Sequence, residues 1–175
     1  GFSQDFYRKY TGISDFSPVL RNIRKLAAKN HIEITTPIIQ GINDHEIIDI
    51  AEFIASMDKN IPWHVFRLLP EYKMKDEEYP SIQVINEKLE EAREILPYIY
   101  FSNFVGSAWV STHCPACGQK VIERFNLGGC GGKMVKYLLD EDNRCPDCGN
   151  QVHIHGNYTQ WNSGDAGYGL CSFGC

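Results

Sequence analysis

Four cysteines fall in two Cys-x-x-Cys-Gly knuckles, HCPACG at Cys114 and Cys117 and RCPDCG at Cys145 and Cys148, with 27 residues between the second and third sulfurs. The chemistry this spacing permits is metal binding. Each glycine, Gly118 and Gly149, lets the chain turn back so that two sulfurs face one ion. Four thiolates in a tetrahedron about 2.3 Å from the ion suit Zn²⁺. The spacing predicts a zinc ribbon, two β-hairpins clamped at their knuckles, and a rubredoxin-like iron site is the rival. A four-thiolate shell has no open position for a substrate, so its expected role is structural.

The remaining chemistry-bearing residues are less ordered in pattern. Cys130 lies in the glycine cluster LGGCGGK and reads as a loop thiol. His113, His153 and His155 are available as ligands, but four cysteines already complete the shell. Cys171 and Cys175 close the sequence in CSFGC, whose spacing matches part of a CxxxCxxC cluster motif that lacks its third cysteine. Seven cysteines could suggest a secreted disulfide framework, but all fall after residue 113 and four are paired in knuckles. That grouping predicts a reducing, cytoplasmic compartment.

Charge narrows the partners. The chain has 175 residues, is 43% hydrophobic and 22% charged, and carries a net charge of −5. Between residues 111 and 155, Lys120, Arg124, Lys133, Lys136 and Arg144 are cancelled by Glu123, Asp140, Glu141, Asp142 and Asp147. A phosphate-binding face needs net positive charge to release counterions, so nucleic acid is disfavoured. No apolar run approaches the eighteen or so residues of a membrane helix, and the N-terminus shows no signal-peptide pattern.

The elements that must carry the knuckles begin with repeated αβ units. SPVLRNIRKLAAK places Ser17 as N-cap, Pro18 in the first turn and Asn30 as a left-handed stop, with Val19, Leu20, Ile23, Leu26 and Ala27 at helical spacing. HIEITTPII is a β-branched strand ending at Gly41. Asp44 is placed to cap a helix through about Met57, and IPWHVFRLLP is the next strand. The polar loop EYKMKDEEYP leads to a third helix with Ile82, Ile85, Leu89, Ala92 and Leu96 on one stripe, and PYIYFSN is a third strand. Such alternation predicts an α/β fold with a parallel sheet. Three strands make a poor parallel sheet alone, which predicts the second half of a larger barrel. Thr35 and Arg67, polar on neighbouring strands, suggest a polar barrel interior, whereas His64 reads as a packed core histidine. Barrel chemistry sits at strand C-terminal ends, which points to Arg67, the stretch 70–73 and Asn103. The expected domains are 1–106 for the half barrel, 107–156 for the ribbon and 157–175 for a Gly-rich flexible tail.

FYRKYTG, PVLRNI, EITTPIIQGIND, IAEFIAS, IPWHVFRLLPEYKM, YIYFSN, and finally HCPACG, VIER and RCPDCG occur in this order. Over about residues 1 to 155 the chain resembles the AmmeMemoRadiSam-system branch of the radical SAM superfamily, related to pyruvate formate-lyase activating enzymes. The resemblance implies the C-terminal part of a partial (β/α)6 TIM-like barrel followed by the ribbon. It also implies a 4Fe–4S cluster and S-adenosylmethionine (SAM), cleaved reductively to a 5′-deoxyadenosyl radical that abstracts hydrogen. Thr35, Arg67 and Tyr72 fall at positions implied to line the SAM pocket. The CxxxCxxC loop, the GGE-type motif and the Asp-x-Lys strand end of that branch are not in this sequence, which resumes with GFS just beyond them. The resemblance therefore implies a fragment or truncated form, inactive by itself, whose partners are the missing N-terminal half and a protein substrate. The competing reading is a stand-alone, non-catalytic module that uses its ribbon for protein contact, or less favourably for nucleic acid.

Overall fold

The computed structural model describes residues 1–126, 132–156 and 158–159. Cys130, Cys171, Cys175 and nearly all of the expected tail lie outside the described residues. A short helix α1 (Gln4–Phe6), capped by the Ser3 hydroxyl, runs into a wide turn at Tyr7–Thr11. Helix α2 (Ser17–Ala27) follows. Then strand β1 (Ile34–Ile38), helix α3 (Ile47–Ala55), strand β2 (Trp63–Arg67), helix α4 (Ile82–Arg93) and strand β3 (Ile99–Phe101) alternate as the sequence predicts.

The three strands are parallel and lie in chain order, with Ile34 opposite Trp63 and Trp63 opposite Ile99. Side chains alternate across a strand, so this register gathers Ile34, Thr36, Ile38, Trp63, Val65, Ile99 and Phe101 on one face. That face meets Ile47, Ile50, Ala51 and Ile54 of α3 and Ile85, Leu89 and Ala92 of α4 in one core. The other face carries Thr35, Pro37, His64, Phe66 and Tyr100. Pro37 has no N–H to give a ladder, and it is tolerated because β1 is an edge strand of this sheet.

Helix boundaries differ from the sequence expectation where a stronger acceptor was nearby. Ser17 is the first helical residue and not the cap: its N–H and hydroxyl both donate to Asp15 Oδ1, at 3.0 and 2.5 Å. Asp44 closes the turn after β1 by accepting the Gly41 N–H at 2.8 Å, and α3 starts only at Ile47. Asn30 does not take a left-handed backbone; its side-chain amide donates to the Leu26 carbonyl at 3.1 Å. Leu20, Ile23 and Ala27 pack on the core, but Leu26 is 54% exposed, so the stripe on α2 is narrower than its spacing suggests.

Asn43 fixes the chain as it leaves β1. Fully buried, it accepts the Ile39 N–H at 2.7 Å and donates to the Pro37 carbonyl at 2.9 Å. Asn43→Ala leaves both backbone groups without their side-chain partner, at about 1–3 kcal/mol each. The expected result is a fall of about 2–4 kcal/mol in unfolding free energy, read from the urea midpoint; a loss below about 1 kcal/mol would show the turn to be held otherwise.

The second sheet is antiparallel, with β4 (Thr112–His113), β5 (Lys120–Phe125) and β6 (Lys133–Tyr137) in that order. A further bridge joins Arg144 to Gln151. The segments on either side of β3 cross between the two cores. Trp109 belongs to the first core, with the Arg93 guanidinium 3.8 Å from its ring, while Tyr98 packs with Val121, Ile122, Leu139 and Val152 of the second. Among the described residues, no helix is long and apolar enough to cross a membrane.

Candidate metal centre and polar cleft

Each knuckle is a tight turn closed by the same pair of backbone bonds. Gly118 N–H donates to the Cys114 carbonyl and Cys114 N–H to that of Gln119; Gly149, Cys145 and Asn150 repeat the pattern. Gly118 and Gly149 adopt φ of 76° and 70°, which side chains with a Cβ rarely enter. The turns bring Cys114 Sγ to 3.6 Å from Cys148 Sγ, and Cys117 Sγ to 3.6 Å from Cys145 Sγ. All four sulfurs lie within 4.8 Å of one another. A tetrahedron with metal–sulfur bonds of about 2.3 Å has edges of about 3.8 Å, so the thiols fit an ion such as Zn²⁺. Cys114 and Cys145 are buried and Cys117 and Cys148 exposed.

The thiols are electrostatically unequal. Burial alone would raise the Cys114 thiol, but the amides of Cys117 and Ala116 donate to its sulfur and bring it down to about 7. Cys117 receives the Gln119 amide, yet the sulfurs of Cys148, Cys145 and Cys114 around it push it up to about 12. The Cys114 thiolate forms easily, whereas Cys117 and Cys148 resist following. A divalent cation reverses that balance, because each ligand must then be a thiolate.

At the C-terminal ends of the parallel strands, Arg67 is clasped by Asn103, which accepts the Arg67 N–H at 3.0 Å and donates to its carbonyl at 2.8 Å. The guanidinium lies 5.2 Å from the Tyr79 ring centroid and 5.9 Å from that of Phe104, and its buried Nε has no hydrogen-bond partner among the described residues. Tyr72 is 84% exposed and holds a φ of 51°, a conformation that costs a non-glycine residue free energy. Thr35 is opposite His64 and Arg67 opposite Ile38, so the two lie on opposite faces of the sheet and do not share one polar lining.

The face of the sheet turned away from α3 and α4 has its own constellation, which sequence reasoning missed. His64 is not a packed core residue: its Nε2 is 2.9 Å from Glu33 Oε2 and its ring stacks 5.3 Å from Tyr100. The Tyr100 hydroxyl meets Thr112 Oγ1 at 3.0 Å, and Arg124 Nη1 donates to the same Thr112 oxygen at 2.8 Å. Burial raises the Tyr100 phenol above its ordinary value and keeps it protonated. Together with His31 and His153 these groups line a cleft of about 360 Å³ between the sheet and the ribbon. The one local signal was the strand alternation that puts His64 out of phase with Trp63 and Val65.

No family model matches the chain. The chain is 34% identical over 160 residues to an uncharacterized protein of Methanocaldococcus jannaschii, an alignment that takes in 86% of this chain and 45% of the relative. The chain thus spans about half the length of the curated relative it matches. What fold and site define is a mixed α/β protein with a four-cysteine centre able to hold a metal ion such as zinc.

Proposed function

We propose that the chain is the C-terminal half of a radical SAM protein, in which these three strands form part of a barrel wall and the ribbon caps it. The observation that carries this reading is the one-sided sheet. Its parallel strands run in chain order with α3 and α4 on one face; on the other, no helix packs among the described residues, and Thr35, His64 and Tyr100 stand there with Pro37 and Phe66. A flat α/β sheet would be covered on both faces; a barrel wall carries its helices outside. The length of the archaeal relative leaves room for the other half, which in this reading carries the cluster-binding motifs.

The chain does not itself fit an iron–sulfur cluster that must leave one iron free for SAM. Its four described thiols converge on one tetrahedron, and the sequence has no CxxxCxxC loop. In this reading the other half holds the cluster. This half contributes residues at the C-terminal strand ends, where barrel enzymes bind ligands: Arg67, which approaches that rim from the helix-covered side of the sheet, and the strained Tyr72 in the loop that follows β2.

The test is to express the chain together with the upstream half, reconstitute iron and sulfide anaerobically, and assay 5′-deoxyadenosine released from SAM under a strong reductant. The expected product forms only when both halves are present. Arg67→Ala should weaken SAM binding about tenfold or more, the value of a charge-assisted hydrogen bond of about 1.5–3 kcal/mol. An assembled protein that takes up no iron and releases no 5′-deoxyadenosine overturns the reading. The non-catalytic alternative would then stand if the chain alone is a monomer that unfolds cooperatively, since a half barrel leaves the β1 edge open to association.

A further inference from the structure

We propose a second metal site, for a borderline divalent cation of the zinc type, formed by the imidazoles of His31, His153 and His155, with Glu33 as the outer carboxylate of His31. The inference concerns residues that neither the thiolate centre nor the SAM reading uses.

His153 and His155 flank Ile154 in the segment that leaves the ribbon, and their Nε2 atoms are 2.9 Å apart with rings nearly perpendicular. Two imidazoles on one tetrahedral ion, with metal–nitrogen bonds of about 2.0–2.1 Å, have nitrogens about 3.3–3.4 Å apart. The pair needs to open by only a few tenths of an ångström to grip an ion. Its local frame is fixed independently of the rings, because the His153 backbone N–H donates to the Tyr98 hydroxyl at 3.1 Å.

The third imidazole comes from the other module. His31 sits in the connection between α2 and β1, with its ring centroid 4.1 Å from that of His155. His31 Nε2 is 3.4 Å from Glu33 Oε1, while the other carboxylate oxygen meets His64. Metal-bound histidines commonly give their second nitrogen to a carboxylate, which fixes the ring and its tautomer. Glu33 is placed for that role and leaves the His31 Nδ1 for the ion. Among the described residues only the four thiols already lie within 4.8 Å of one another; the histidines close up by rotation, which the exposure of His31 and His155 allows.

Three imidazoles leave a fourth position for water, next to the cleft lined by His64 and Tyr100. The ion would also pin the α2–β1 connection to the chain beyond the ribbon, two segments far apart in sequence.

The experiment is a calorimetric titration of the metal-free chain with ZnSO₄, monitored in parallel by the imidazole proton resonances. Two equivalents are expected, the second shifting the resonances of His31, His153 and His155. A variant with His153→Ala and His155→Ala should keep the thiolate-bound equivalent and lose the other; Glu33→Gln should weaken the second about 10–100-fold. A single equivalent in the unaltered chain, or a second that leaves these resonances unmoved, overturns the proposal whether or not the variants fold. Retention of two equivalents in the double variant overturns it equally.

Discussion

Replacing Cys145 by Ser is expected to abolish thiolate-bound metal and to melt the ribbon while the α/β module keeps its helices. Cys145 is 2% exposed and packs in the same small cluster as Cys114, Val121, Leu139 and Val152. That cluster is too small to carry a fold by itself, since modules of this size lean on metal or disulfides. Structural zinc supplies an apparent 10–16 kcal/mol at neutral pH, at least comparable with the whole stability of an ordinary domain. Cobalt substituted for zinc should show sulfur-to-metal charge transfer in the parent and none in the variant. Far-UV dichroism should retain the signal of α2, α3 and α4, whose core contains no cysteine. The idea fails if the variant still shows the charge-transfer band or if the ribbon's amides stay protected from exchange.

The same centre gives a pH dependence with a definite sign. Protons and metal compete for the sulfurs, so metal-derived stability is present at high pH and lost as pH falls. At pH 7 the metal-free Cys117 thiol, pushed up to about 12, is protonated, whereas Cys114, near 7, is partly ionised. Binding must therefore release protons. Calorimetry in buffers of different ionisation enthalpy should register that release, and the apparent affinity should fall steeply below neutrality.

What was legible in the sequence was what depends on near neighbours. The knuckles could be placed because Cys-x-x-Cys-Gly specifies its own turn. The three αβ units could be placed because apolar spacing on α3 and α4 sets their buried faces without help from elsewhere. The N-terminal Gln4–Thr11 helical segment has no such stripe and went unseen. Strand alternation told which residues share a face, but not which face would be covered. The sequence therefore suggests a core for His64, which lines a cleft, and groups Thr35 with Arg67, which the register separates. The pairing of His31 with His155, and of Tyr98 with Val152, joins segments distant along the chain. Only the docking of ribbon on sheet creates those contacts, and no local pattern announces them.

Trp63→Ala is expected to be the most damaging single change in the α/β module. Trp63 is wholly buried on the central strand, between Ile34 of β1 and Ile99 of β3 in the register, with α3 and α4 over its face. Truncating a buried Trp to Ala costs about 3–5 kcal/mol through lost transfer energy and the cavity left behind. A second cost adds to it, because the indole Nε1 donates to Thr36 Oγ1 at 3.0 Å across the strands. Thr36 is 6% exposed, and stripping it of that partner costs about 1–3 kcal/mol. The two costs can be separated. Trp63→Phe keeps most of the ring volume but orphans the hydroxyl, and Thr36→Val orphans the indole N–H, so each should cost about 1–3 kcal/mol. Combined, they remove both partners at once, and the pair should cost clearly less than the sum of the singles. Denaturant unfolding of the four proteins decides it. Strict additivity would show that the Trp63–Thr36 bond contributes nothing beyond packing, and a Trp63→Ala loss below about 2 kcal/mol would show that the sheet's core lies elsewhere.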